Sequence, residues 1–141
     1  MKKIYILLII IALLFLLLFS CQRTYELPLH QQTSQITKIE LCDHTSGKRV
    51  VLCELNEAEF LPFMEKLEAV SCYRYFNDPS TDNGFLSVYL YYEDGIIDIL
   101  GTGMCDTTSI VSTRKGWYYL DGSETWDLFS EYIPRDQLPP K

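Results

Sequence analysis

Histidine is almost missing from this sequence: His30 and His44 are the only two. A histidine-based catalytic pair or a multi-histidine metal centre has little to draw on. No Cys-x-x-C occurs, which removes the paired spacing by which structural zinc sites are recognised. Positive charge is short as well, with 12 Lys and Arg against 19 Asp and Glu and a formal net charge of −7. That balance argues against nucleic acid as a partner and against flat docking on anionic lipid. Internal repeats and low-complexity tracts are also lacking.

What the chain does have is one long apolar run, from Ile4 to Phe19, preceded by Lys2 and Lys3 and followed by Ser20 and Cys21. A positive start, an apolar helix and a small residue are the three regions of a bacterial secretory signal, which enters the bilayer with its charged end cytoplasmic. Sixteen apolar residues span roughly 24 Å as a helix, short of a hydrocarbon core of about 30 Å, so the length suits a signal better than a span.

The segment Leu18-Phe19-Ser20-Cys21 resembles the lipobox of bacterial lipoproteins. The resemblance implies cleavage before a cysteine that already carries diacylglycerol, so that Cys21 becomes the first mature residue and ties the protein to a membrane through lipid. It places the remainder in the cell envelope, outside the cytoplasm. The alternative is an uncleaved N-terminal anchor, which leaves the domain on the same side. Past the lipobox, the chain resembles small bacterial lipoproteins of unknown function only in its general alternation of apolar and polar residues.

Residues 1–20 are therefore expected to be the signal peptide. Residues 21–34, with Pro28 and no sustained periodicity, read as the lipidated cysteine and a tether in which His30 is solvated. Residues 35–134 read as one domain and 135–141 as a loose tail. Cleavage leaves 121 residues with 10 basic against 19 acidic side chains, enough for a single domain burying roughly two thirds of its extended surface.

Within the domain, Ile39 and Leu41 alternate with Lys38 and Glu40 in a strand from Ile36 to Asp43, and Val50-Val51-Leu52 marks a second strand. Pairing Leu41 with Cys53 and Ile39 with Leu55 sets their register. Asn56 and Glu59 form a capping-box-like pair at a helix start, and Phe60, Met64 and Leu67 recur at helical spacing. Pro62 is expected to confine the regular helix to Phe63–Glu68 or to kink it. Val70–Phe76 reads as a third strand, followed by a turn-rich loop over 77–84.

Asp94-Gly95 is the strongest hairpin signal; a two-residue turn there sets Leu90 against Ile99 and Tyr92 against Ile97. A further hairpin is expected around Arg114-Lys115-Gly116, between Ile110-Val111 and Trp117–Leu120. Ser123 then caps a last helix whose stripe is Trp126, Phe129 and Ile133, stopped by Pro134. The fold class predicted is α+β, a mainly antiparallel sheet with two short helices packed on it.

Cys42, Cys53, Cys72 and Cys105 remain after Cys21, and outside the cytoplasm an even count permits two disulfides in three connectivities. The register above puts Cys42 on the opposite face from Cys53, which disfavours that bridge; free cysteine is also a comfortable core residue. Cys42-Asp43-His44 with Cys53 lacks zinc spacing. Asp78, Ser80 and Asp82 alternate as calcium ligands do, yet position six is Asn83 and position twelve Tyr89, so the segment fails the EF-hand pattern and reads as a polar turn. Neither a metal nor a cofactor is implied. Glu65, Glu68, Glu93, Asp98 and Glu131 are scattered and read as solvated.

The feature with most functional promise is aromatic. Tyr73 and Tyr75 share a strand face, as do Phe85, Tyr89 and Tyr91, and Trp117 alternates with Tyr119. Coinciding faces would make a platform for an envelope protein or a glycan. The expectation is a lipid-anchored, non-enzymatic binding domain. The competing classes are a cell-envelope hydrolase or thiol enzyme using dispersed carboxylates or cysteines, and an inhibitor-like protein with one tight partner.

Overall fold

Period-two alternation decides which side of each strand is buried, and among the described residues it builds one antiparallel sheet of seven strands. The computed structural model describes residues 5, 9–14, 24–75, 86–101, 108–113 and 116–139. The strands are β1 (Ile36–Asp43), β2 (Val50–Glu54), β3 (Cys72–Tyr75), β4 (Leu86–Tyr92), β5 (Ile97–Gly101), β6 (Thr108–Thr113) and β7 (Gly116–Asp121). Their order is β2-β1-β4-β5-β6-β7-β3. Helices α1 (Glu57–Ala69) and α2 (Gly122–Tyr132) cover one face. The architecture is α+β, as the alternation and helical spacing predict.

The core lies between that face and the helices. Ile39, Leu41, Val88, Leu90, Leu100 and Leu120 contribute from the sheet, and Phe63, Met64, Leu67, Leu128 and Phe129 from the helices. Phe63 joins the helices directly, its ring centroid 6.2 Å from Phe129 and 5.2 Å from Tyr132. The β1–β2 register is the expected one as far as Leu41, which pairs with Cys53, with Leu55 N–H donating to Ile39 O at 3.0 Å; beyond it a bulge in β2 shifts the pairing, and Cys42 faces Val51.

At the β4–β5 hairpin the register differs by one residue. Gly95 N–H bonds back to Tyr92 O, and Tyr92 N–H to Ile96 O, so the loop has three residues with Gly95 at φ 79°. A turn closed by a left-handed glycine absorbs the extra residue as a bulge. Tyr89 consequently faces Ile99, Leu90 faces Asp98 and Tyr91 faces Ile97. One step of register exchanges the faces of a strand. Ile97 and Ile99 are exposed, while Asp98 is 2% accessible and Leu100 fully buried.

Asp98 is therefore not a solvated carboxylate. Tyr92 Oη donates to its Oδ2 at 2.8 Å and the His30 N–H at 2.7 Å, which satisfies a charge on the helix-covered face. His30 is correspondingly not solvated in a tether. Its Nε2 lies 2.8 Å from Asp94 Oδ2, its ring packs edge-on to Tyr92 at 5.4 Å, and Leu29 joins the core. Farther back, Tyr25 N–H donates to Cys72 O at 2.8 Å. From Tyr25 onward the expected tether is a strap bonded to the domain.

The helices also start differently. The capping box at Asn56 and Glu59 is complete, but α1 begins at Glu57 and runs through Pro62. Proline deletes one amide donor, and its lost acceptor, the Ala58 carbonyl, belongs to an exposed residue that water can serve. Asp121, not Ser123, caps α2, accepting from Ser123 N–H at 3.1 Å and Glu124 N–H at 3.0 Å. An aspartate two residues earlier reaches the free amides of the first turn, which Ser123, already inside it, cannot.

β3 starts two residues later than predicted, at Cys72, because Val70 closes α1 as its C-cap; Phe76 lies outside the described residues. β6 and β7 pair from Thr108↔Asp121 to Thr113↔Gly116, the expected hairpin. Beyond Pro134 the chain is not loose throughout: Leu138 packs on the core. Residues 9–14 are helical, and among the described residues no helix is long and apolar enough to cross a membrane.

Candidate functional site

The face away from the helices is where polar and aromatic positions collect. On β4 the alternation that buries Val88 and Leu90 sends Ser87, Tyr89 and Tyr91 outward. On β1 it sends out Lys38, Glu40 and Cys42, the residues paired beside them.

Glu40 sits at the centre, its side chain 6% accessible. Tyr91 Oη donates to it at 2.6 Å, and Lys38 Nζ and an Arg49 guanidinium nitrogen pair with the same carboxylate. Two cations and a phenol together repay its desolvation. Arg49 comes from the β1–β2 connection, lays its guanidinium 4.0 Å from the Tyr89 ring centroid and donates from Nε to Cys42 Sγ at 3.4 Å. Lys38 lies 4.9 Å above Tyr91. Both tyrosines thus carry a cation over the ring.

At the other end of this column His44 stacks on Tyr89 at 5.9 Å. Its Nε2 is 2.8 Å from Ser87 Oγ and 3.3 Å from Tyr89 Oη. A serine beside a histidine invites a hydrolytic interpretation, but Ser87 is 4% accessible. The same nitrogen also faces two hydroxyls, and among the described residues no carboxylate orients the imidazole through its other nitrogen. The unit packs the sheet corner and lacks the orienting third member of a nucleophilic triad.

Across β5, Ile97 and Ile99 extend the face at 42% and 43% exposure. The ladder carries the same parity through β6, where Ser112 pairs with Ile99 and with Trp117. Tyr119 and Tyr73, register partners on β7 and β3, stack at 4.9 Å and 22°. The backbones of Tyr75 and Trp117 pair next along that ladder. Tyr73, Tyr89, Tyr91 and Tyr119 therefore share the face, a coincidence the sequence left open, but as two patches. Three strand spacings of about 4.8 Å separate Tyr89 from Tyr119. Phe85, Cys105 and Cys21 lie outside the described residues, as do Asp78, Ser80 and Asp82.

Cys42, Cys53 and Cys72 carry free thiols. Burial pushes Cys42 up to about 11, with Lys38 opposing, and pushes Cys72 up to about 11. Cys53 is raised by burial and then by Glu59 and Glu54. A thiol with so little thiolate is a poor nucleophile. Burial also raises the Tyr89 phenol, against Arg49. Among the described residues no three His, Cys, Asp or Glu side chains converge to hold a metal ion. Cys42 and Cys53 belong to opposite faces, and Asp43 is engaged by the Thr45 N–H and hydroxyl.

Sequence reasoning missed Ile97 and Ile99 because Asp-Gly implies a shorter turn than the one formed. It missed Arg49 because a turn residue carries no periodicity to show where it folds back; the polar alternation of Lys38 and Glu40 was the visible half of that network. No protein-family profile, curated protein or solved structure matches the chain.

Proposed function

We propose that this protein is a lipid-anchored, non-enzymatic interaction domain of the bacterial cell envelope, using the helix-free face of its sheet to hold another protein. The observation that carries the proposal is the exposed Ile97–Ile99 pair set between two tyrosine patches. A branched aliphatic strip flanked by tyrosines, with a charged corner at one side, has the composition of a protein interface core and rim. A glycan fits less well. Sugar rings stack on bare aromatic faces, whereas Arg49 and Lys38 already occupy faces of Tyr89 and Tyr91, and isoleucine offers no stacking plane.

The protonated thiols and the buried Ser87 favour binding over catalysis. The signal and the lipobox-like segment ending at Cys21 supply the anchor, and a fixed position on a membrane suits local capture or assembly.

Two measurements test the two halves. Intact mass of the membrane-extracted protein should match the chain from Cys21 plus lipid; a full-length mass without lipid would refute the anchor. In-cell photo-cross-linking from position 99 should capture a discrete envelope protein, and Ile97→Asp with Tyr119→Ala should abolish capture without unfolding the domain. Capture that survives both substitutions would remove this face from the interface.

A further inference from the structure

Most of the expected tether belongs to the domain. The strap is fastened at both ends and in the middle. Tyr25 N–H donates to Cys72 O on the edge strand β3 at 2.8 Å, Leu27 and Leu29 pack on the core, and His30 N–H donates to Asp98 on β5 at 2.7 Å. The Tyr25 ring stands edge-on to Tyr118 at 6.1 Å, and Tyr118 packs against the core. The chain from the anchor therefore arrives on the helix-covered side, opposite Ile97 and Ile99. Only Gln22, Arg23 and Thr24 separate Cys21 from Tyr25. Four steps of chain reach at most about 14 Å, against roughly 50 Å were residues 21–34 all free.

That short link limits how far the interaction face can lie from the membrane. β5 is three strands from β3 in the sheet order, about 14 Å. Ile99 lies level with Tyr75 through Ser112 and Trp117, about 10 Å along the strand from Cys72. However the domain turns, Ile99 stays within roughly 40 Å of Cys21. A domain of this size is about 35 Å across, so it fills most of that layer itself. The lipid surface is a poor occupant for the face: without Lys2 and Lys3 the chain has 10 basic against 19 acidic side chains, and anionic headgroups repel such a domain.

On the reading of an anchored interaction domain, we infer that the domain is held against the bilayer and that its face takes a protein of the same membrane, one whose recognised surface stands within about 40 Å of the lipid. Confining both proteins to one thin layer raises their effective concentration without any further contact. A partner dissolved beyond that layer gains nothing from it. An uncleaved anchor ending at Phe19 would lengthen the link by only two residues, so either anchor leads to the same class of partner.

The first measurement places the domain. Full-length protein is extracted from membranes and reconstituted in phosphatidylcholine vesicles with a headgroup-labelled acceptor lipid, carrying a fluorescent amino acid at Glu26 or at Ala69. Both positions are exposed. Glu26 stays near the anchor in any case, whereas Ala69, at the end of α1, does so only while the strap is bonded at Cys72. Energy transfer from the two should be similar, and inserting about thirty Gly and Ser residues after Thr24 should lower both. Transfer from Ala69 well below that from Glu26 would overturn the inference without touching the interaction reading. The second measurement identifies the partner by photo-cross-linking from position 99 in cells. In cells lacking this chain the captured protein should stay with the membranes through an alkaline carbonate wash, and the same insertion should cut its capture several-fold. A captured protein that the wash releases, or capture indifferent to the insertion, would overturn the inference while the interaction reading stands. No capture at all would overturn both.

Discussion

Single side chains decide two of the protein's less expected features. Asp98 is a charge among apolar neighbours, held by one phenol and one backbone amide. Burial, then Asp98, raises the Tyr92 hydroxyl, which keeps it a donor. Tyr92→Phe should cost about 1.5 kcal/mol in urea denaturation, because it strands part of a buried carboxylate without opening a cavity. Asp121 is the second case. Amide and hydroxyl donors from Glu124 and Ser123 hold its carboxyl below the usual range. The folded value lies below the unfolded one, so its stabilisation is complete above the ordinary carboxylate pKa and is lost as pH falls through the folded value. Asp121→Ala should lower stability by about 1 kcal/mol at pH 7. Asp121→Asn should keep most of the cap and flatten the acid limb of the stability profile, as denaturation curves from neutral to strongly acidic pH would show.

At the scale of elements, the β4–β5 turn has the widest consequence. Gly95 at φ 79° has nothing within 4 Å of where a Cβ would stand, so its cost to any other residue is conformational and not steric crowding from neighbours. Gly95→Ala should destabilise the protein by roughly 1–2 kcal/mol. The outcome to look for beside that loss is a preserved register, with Ile97 and Ile99 still outward, since Leu100 and Asp98 fix the inward face. α1 illustrates the opposite balance. Pro62 ought to interrupt it, but the capping box and the burial of Phe63, Met64 and Leu67 outweigh one missing hydrogen bond near an exposed turn.

Over the whole molecule, the sheet divides labour by face. One side meets both helices, and the other holds a charged, aromatic and aliphatic surface with nothing from the described residues laid over it. Cys42 and Cys72 are buried at 0% and 1% accessibility, with their thiols held protonated. Labelling of both by a thiol reagent should therefore follow global unfolding, slowing as stability rises, while half-buried Cys53 reacts before either of them. Rapid labelling of Cys72 in the native protein would show that the Tyr25 strap opens independently of the sheet.

Much of this architecture was legible in the residues. β1, the β1–β2 register as far as Leu41, the capping box and the sharing of one strand face by Tyr89 and Tyr91 all follow from local periodicity, which a strand or helix expresses wherever it is placed. The anchor expectation likewise rests on a local pattern, charge then apolar run then Ser20-Cys21. What local pattern could not set was anything depending on a distant partner. The bulge at Gly95, the capture of His30 by Asp94, the inward turn of Asp98 and the folding of Arg49 over Tyr89 each join residues that only the packed sheet brings together. Periodicity assigns a residue to a face, but burial against the rest of the chain decides which register, and so which face, has the lower free energy.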